Sequence, residues 1–155
     1  MLDTVARPEN ALELMLELQP EESLEWKAQV SKRSTGWHDV ESSSHLVALI
    51  QRASHAGDWL VVQTKRLDEQ HFGRYAQAMN TGSGYHVEVA VVSGGITNNW
   101  RVGLGALADD AGNEPNEGVA PSQNLSLAGT SEVIVSWLNG HGLPLGYGAA
   151  LHIYA

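Results

Sequence analysis

The sequence predicts an α+β domain: an antiparallel β-meander of four to five strands with two or three helices packed on one face. Three observations predict it. Two stretches, near 44–56 and 130–139, carry apolar residues at helical spacing behind Ser or Thr starts. Four stretches between them are strand-like in composition. The links joining those four are short and rich in turn formers, leaving no room for the crossovers of a parallel sheet.

In chain order, an acidic helix is expected over 9–18. Pro8 suits a first turn, Asn10 can cap, and Leu12, Met15, Leu16 and Leu18 form a stripe that Pro20 ends. Ser23 to Val30 then alternates, with Leu24, Trp26, Ala28 and Val30 on one side. Ser42, Ser43 and Ser44 offer caps for a helix whose Leu46, Leu49, Ile50 and Ala53 share a face, and Gly57-Asp58 stops it. Strands follow at 59–66, 72–79, 85–92 and 100–104, with links at 67–71, 80–84 and 93–99. The third is the clearest: Tyr85, Val87, Val89 and Val91 face a core, while His86, Glu88 and Ala90 face solvent or a partner. Residues 105–128 lack any sustained period and read as a long loop, with a short strand at 124–127. Thr130 or Ser131 caps a last helix bearing Val133, Ile134, Trp137 and Leu138, which Gly140 stops. An edge strand at 151–154 completes a single domain, 1–155.

Length and composition agree with one core: 155 residues, 43% of them hydrophobic. The absence of cysteine excludes disulfides, thiolate chemistry and Cys-based zinc sites. No apolar run approaches the roughly 20 residues of a membrane span. Asp3 stands where a signal peptide needs positive charge, so a cytoplasmic chain is expected. The net charge of −9 is unevenly placed. Residues 1–30 hold seven acids against two bases, and 105–128 hold Asp109, Asp110, Glu114 and Glu117 with no base. Residues 31–104 are nearly neutral. Such a field disfavours nucleic-acid phosphates and anionic lipid; it either favours encounter with a basic partner or only keeps the protein in solution.

The chemical motifs are thin. Gly103-Leu104-Gly105-Ala106-Leu107-Ala108 matches G-x-G-x-x-A, but acids follow where a pyrophosphate needs amides, and no βαβ alternation surrounds it. His45 and His55 are ten apart, not one turn apart, so they form no HExxH-type pair. His86 and Glu88 share a strand face and can reach one another, as a metal pair lacking further ligands or as a surface histidine beside a carboxylate. Ser93 lacks the preceding glycine of a nucleophile elbow. Asp109 and Asp110 sit in a loop where little would raise a carboxyl pKa. Five tryptophans stand against one phenylalanine. Trp26, Trp59, Trp100 and Trp137 fall on elements where core packing explains them. Trp37, in a connecting stretch, is either an exposed anchor or a cover for the core's edge.

Several of these stretches carry a resemblance. Gly57-Asp58-Trp59 with Leu60-Val61-Val62, Tyr75-Ala76-Gln77-Ala78, Gly84-Tyr85-His86-Val87-Glu88-Val89 and Ser131–Leu138 look like a group of small actinomycete proteins. In that group a "YAQ" strand pairs with a "Y-x-V-E" strand and a Trp-bearing helix closes the fold. The group is similar to immunity proteins of polymorphic-toxin systems, and more distantly to the YbjN-type, secretion-chaperone-like fold. The resemblance covers 44–104 and 130–139 and implies an α+β binding protein without cofactor or catalytic residues. The acidic N-terminal helix and the long acidic loop depart from it.

The leading expectation is therefore a noncatalytic immunity protein that occludes a toxin. Trp37, His86, Glu88, Asp109, Asp110, Glu114 and Glu117 are its candidate contacts. A chaperone-like adaptor pairing an edge strand with a secreted client is the second reading. A small hydrolase or ligand-binding enzyme is the third.

Overall fold

A computed structural model of the protein describes residues 4–5, 22–66, 73–93, 96–105 and 123–152. Within them the chain builds β2 (Glu22–Val30) after a short β1 (Thr4–Val5), then β3 (Arg33–Ser34), β4 (His38–Asp39) and α1 (Ser43–Arg52). It continues through β5 (Trp59–Arg66), β6 (Arg74–Asn80), β7 (Tyr85–Ser93) and β8 (Ile96–Leu104). Helix α2 (Leu127–Leu138), β9 (Leu143–Pro144) and β10 (Tyr147–His152) complete it. The expected helix at 9–18 lies outside the described residues, as do 106–122 of the expected loop.

The fold is α+β, and its sheet is wider than the expected four to five strands. Eight strands run β10-β8-β7-β6-β5-β2-β3, with β4 also on β2, and every neighbour is antiparallel. The consecutive strands β5 to β8 form the expected meander. A two-stranded parallel pair of β1 with β9 was not foreseen; two residues per strand carry no periodic signal.

Period-two alternation directs one sheet face to the core. Leu24, Trp26 and Ala28 of β2, Leu60 and Val62 of β5, Ala76 and Ala78 of β6, and Tyr85, Val87 and Val89 of β7 are all buried there. Leu46, Leu49, Ile50 and Ala53 of α1 meet them, as expected, behind an Ser42 cap whose hydroxyl accepts from the His45 amide. The second helix starts earlier than expected. Ser126 caps it by accepting from the Gly129 amide, while Thr130 and Ser131 lie inside the helix and are buried. Its whole length from Gly129 to Leu138 is buried, not a single face. Gly129 leaves room for a neighbour: a Cβ there would stand 2.8 Å from the Tyr147 hydroxyl, which would have to shift. Gly140 ends the helix as expected, at φ 81°, and Arg74 donates from Nη2 to the Leu138 carbonyl at 2.7 Å.

Three other expectations change. Ile96 to Asn99 belong to β8, not to a link, because they pair in register with Ser93 back to Ala90 of β7. The last strand begins at Tyr147, where it pairs with Leu104. The short strand at 124–127 reduces to one bridge between Leu125 and Tyr85.

The outer edge of β2 is covered by its own return segment. The Thr35 amide donates to Ala28 O at 2.9 Å and the Ala28 amide to Thr35 Oγ1 at 3.0 Å, bridging the gap between β3 and β4. The β2–β3 turn is tight, with Ser31 at φ 51° and Lys32 at φ 68°. Such turns favour Asn-Gly, because L-residues resist this region. Asp58 compensates, its Oδ1 accepting from the Ser31 amide at 3.0 Å. Lys32→Gly should therefore raise the urea midpoint, by up to about 1 kcal/mol of stability.

That same Asp58 is buried and also accepts from the His55 amide at 3.1 Å. Its carboxyl is held below the usual range, chiefly by the Ser31 amide, with burial opposing and the His55 amide assisting. Because the folded pKa is depressed, the ionised carboxylate stabilises above the unfolded value and this contribution is lost as pH falls. The slope should appear below about pH 4, and Asp58→Asn should flatten it in acid titrations followed by circular dichroism.

Candidate functional site

The sheet face opposite the helices is built by the residues that alternate with the core set. Register fixes its rows: Gln77 lies beside Glu88 and Glu88 beside Arg101, while Met79 lies beside His86. A second row joins Tyr75, Ala90 and Asn99. On β2 and β5 the same face carries Glu25 beside Gln63, Lys27 beside Val61, and Gln29 beside Trp59. Trp59 is thus half-buried on this face, a correction to its expected core position; Trp26 and Trp137 are core, and Trp100 packs against it.

The face is not simply solvated. Strands β6 and β8 are about 10 Å apart, a span a tyrosine can bridge. Tyr75 does so, its hydroxyl donating to Asn99 Oδ1 at 2.9 Å across Ala90, which is fully buried. Burial and the nearby Glu88 charge raise the Tyr75 phenol pKa. Gln63 Nε2 donates to Glu25 Oε2 at 2.6 Å.

At the centre stands Glu88. Its Oε2 lies 3.4 Å from Arg101 Nε and 3.3 Å from His86 Nε2. Side-chain exposure is 6% for Glu88, 10% for Arg101 and 11% for His86, so the expected surface histidine beside a carboxylate is in fact a mostly buried triad. Among the described residues, neither His86 Nε2 nor Arg101 Nη1, both buried, has a hydrogen-bond acceptor. A cleft of about 230 Å³ adjoins them, lined by Gln77, Met79, His86, Glu88 and Arg101. Beyond Arg101 on the same face, Gly103 pairs with Gly148, so no side chains project there.

Trp37 lies at the β2 end, 41% exposed, with Lys27 Nζ 4.9 Å from its ring centroid. It is the exposed form of the two readings. Trp37, His86 and Glu88 are therefore the expected contacts placed by the structure; Asp109, Asp110, Glu114 and Glu117 lie outside the described residues. Arg101, Gln77, Met79 and Tyr75 were missed, since only inter-strand register brings them beside Glu88. The other motifs have local roles. His45 Nδ1 accepts from the Glu41 amide at 3.0 Å ahead of α1. His55 lies beyond the end of α1, with its side chain 75% exposed. Gly103 belongs to β8, and Gly105 turns at φ 70°. Among the described residues, no three His, Asp or Glu side chains converge as a metal set. No family model, curated protein or solved structure matches the chain.

Proposed function

We propose that the chain is a noncatalytic protein-binding protein, specifically a cytoplasmic immunity protein that neutralises a toxin by occluding it. The observation that supports this best is the make-up of the sheet face opposite α1 and α2. Trp59, Tyr75 and Met79 stand half-buried on the adjacent strands β5 and β6, and Trp37 and Lys27 lie at one end. Aromatic residues and Met are among the types enriched where protein interfaces carry their binding energy. Strand pairing already orders them, which lowers the entropy cost of association. The net charge of −9, concentrated in 1–30 and 105–128, favours a basic toxin. Those acids steer the encounter and compete with an anionic substrate for its cleft.

The test is inhibition of a toxin encoded immediately upstream of this chain's gene. Stoichiometric loss of toxin activity is expected, with association slowing steeply as ionic strength rises past about 0.15 M. The exposed Trp37→Ala should weaken the complex about tenfold. A complex that leaves the toxin fully active overturns occlusion. Turnover of a small molecule by the pure chain overturns the noncatalytic assignment.

A further inference from the structure

The cleft beside Glu88 has features that a flat docking face does not need. We infer that it is a binding site for a single carboxylate group, delivered by a short-chain carboxylic acid or by an acidic side chain of a partner protein. The juxtaposition that carries this is a small cavity, two of whose lining residues each hold, just behind its wall, a buried donor nitrogen that lacks an acceptor among the described residues. Arg101 Nη1 and His86 Nε2 are both buried without a hydrogen-bond partner among the described residues. Each such group is costly to leave unmet, and a charged one more so. A carboxylate has two oxygens, and one can accept from each donor, with His86 in the tautomer protonated on Nε2.

Charge selects the class. Glu88 lies within 3.4 Å of Arg101 and within 3.3 Å of His86, so the site already holds one negative charge against the guanidinium. A monoanion whose oxygens sit on the donors is tolerated, whereas a phosphate dianion meets repulsion from Glu88 at short range. Size agrees: about 230 Å³ is below the roughly 300–1,000 Å³ of pockets for drug-sized ligands, and suits one short group. Met79 lines the cleft as an apolar wall for a carbon stem, and Gln77 adds a further amide. Tyr75 is not available, since its hydroxyl is engaged by Asn99. The inference goes beyond the toxin-binding reading and stands without it, because propionate can bind where toxin capture fails, and the reverse.

The experiment titrates the isotope-labelled full chain with propionate, with the blocked tripeptide acetyl-Ala-Glu-Ala-amide, and with inorganic phosphate, reading the His86 ring and Arg101 Nε–H signals by NMR. Saturable shifts with a Kd on the order of 1 mM are expected for a carboxylate. Tighter binding of propionate identifies a free acid as the source, and tighter binding of the tripeptide a partner side chain; both support the site. His86→Phe keeps a ring and should weaken binding about tenfold, the loss of one hydrogen bond. Glu88→Met with Arg101→Met removes both charges together and should abolish it. Three results would each overturn the inference: no saturable shift with either carboxylate up to about 50 mM, phosphate binding as tightly as both, or binding that survives both variants.

Discussion

Trp137→Ala is expected to destabilise the fold by about 3–5 kcal/mol, the range for emptying a buried tryptophan site. Trp137 lies in the last turns of α2, is buried, and meets Trp100 edge-on with ring centroids 6.2 Å apart. Its Nε1 donates to the Ala90 carbonyl at 3.2 Å, tying the helix to the central strand β7. Helix α2 is surrounded on all sides, so little can collapse into the vacated volume. Trp137→Phe separates the two contributions. It retains much of the ring and loses the hydrogen bond, for which a cost of about 1–2 kcal/mol is expected. Urea unfolding with near-ultraviolet circular dichroism checks both, since the Trp100–Trp137 pair gives a signal that either substitution removes. Equal losses for the two variants would show that the indole nitrogen, not the packing, dominates.

Arg101→Met is the second large effect, about 3–5 kcal/mol, because it leaves the Glu88 carboxylate buried without its guanidinium. The pair itself contributes far less. The contact of Nε with Oε2, at 3.4 Å, is long for a buried ion pair. Replacing both partners by Met should therefore recover most of the loss, as removing a whole buried pair often does. A double-mutant cycle by chemical unfolding measures the coupling. A double variant as unstable as Arg101→Met would show that the pair holds the sheet face together. Because the pair is nearly enclosed, neither single loss should depend strongly on salt.

The parts of this fold visible in the sequence are those with a local cause. Helix α1 has a Ser cap and a clean apolar face, and β7 alternates over its full length, so both were legible. His86 and Glu88 were legible as a pair for the same reason: period two alone puts them on one face. Arg101 was not, because its place beside Glu88 depends on where the chain turns. Ile96-Thr97-Asn98-Asn99 contains turn formers, and only pairing with β7 makes it a strand. The start of α2 was obscured by Gly129, a poor helix residue that leaves room for the Tyr147 hydroxyl. Trp59 was misplaced because one residue's shift in a strand exchanges faces, and composition does not reveal which face is which. Strands of two residues, such as β3 and β4, leave no pattern to read.

The segment from Arg33 to Val40 has a consequence for self-association. By giving β2 its outer hydrogen bonds through Thr35, Val40 and two very short strands, it occupies amides and carbonyls that would otherwise template a second chain. Peeling that strap away would uncover a nine-residue strand with Leu24, Trp26, Ala28 and Val30 along one side. Aggregation of damaged or partly unfolded protein should begin there, and the strap is what delays it.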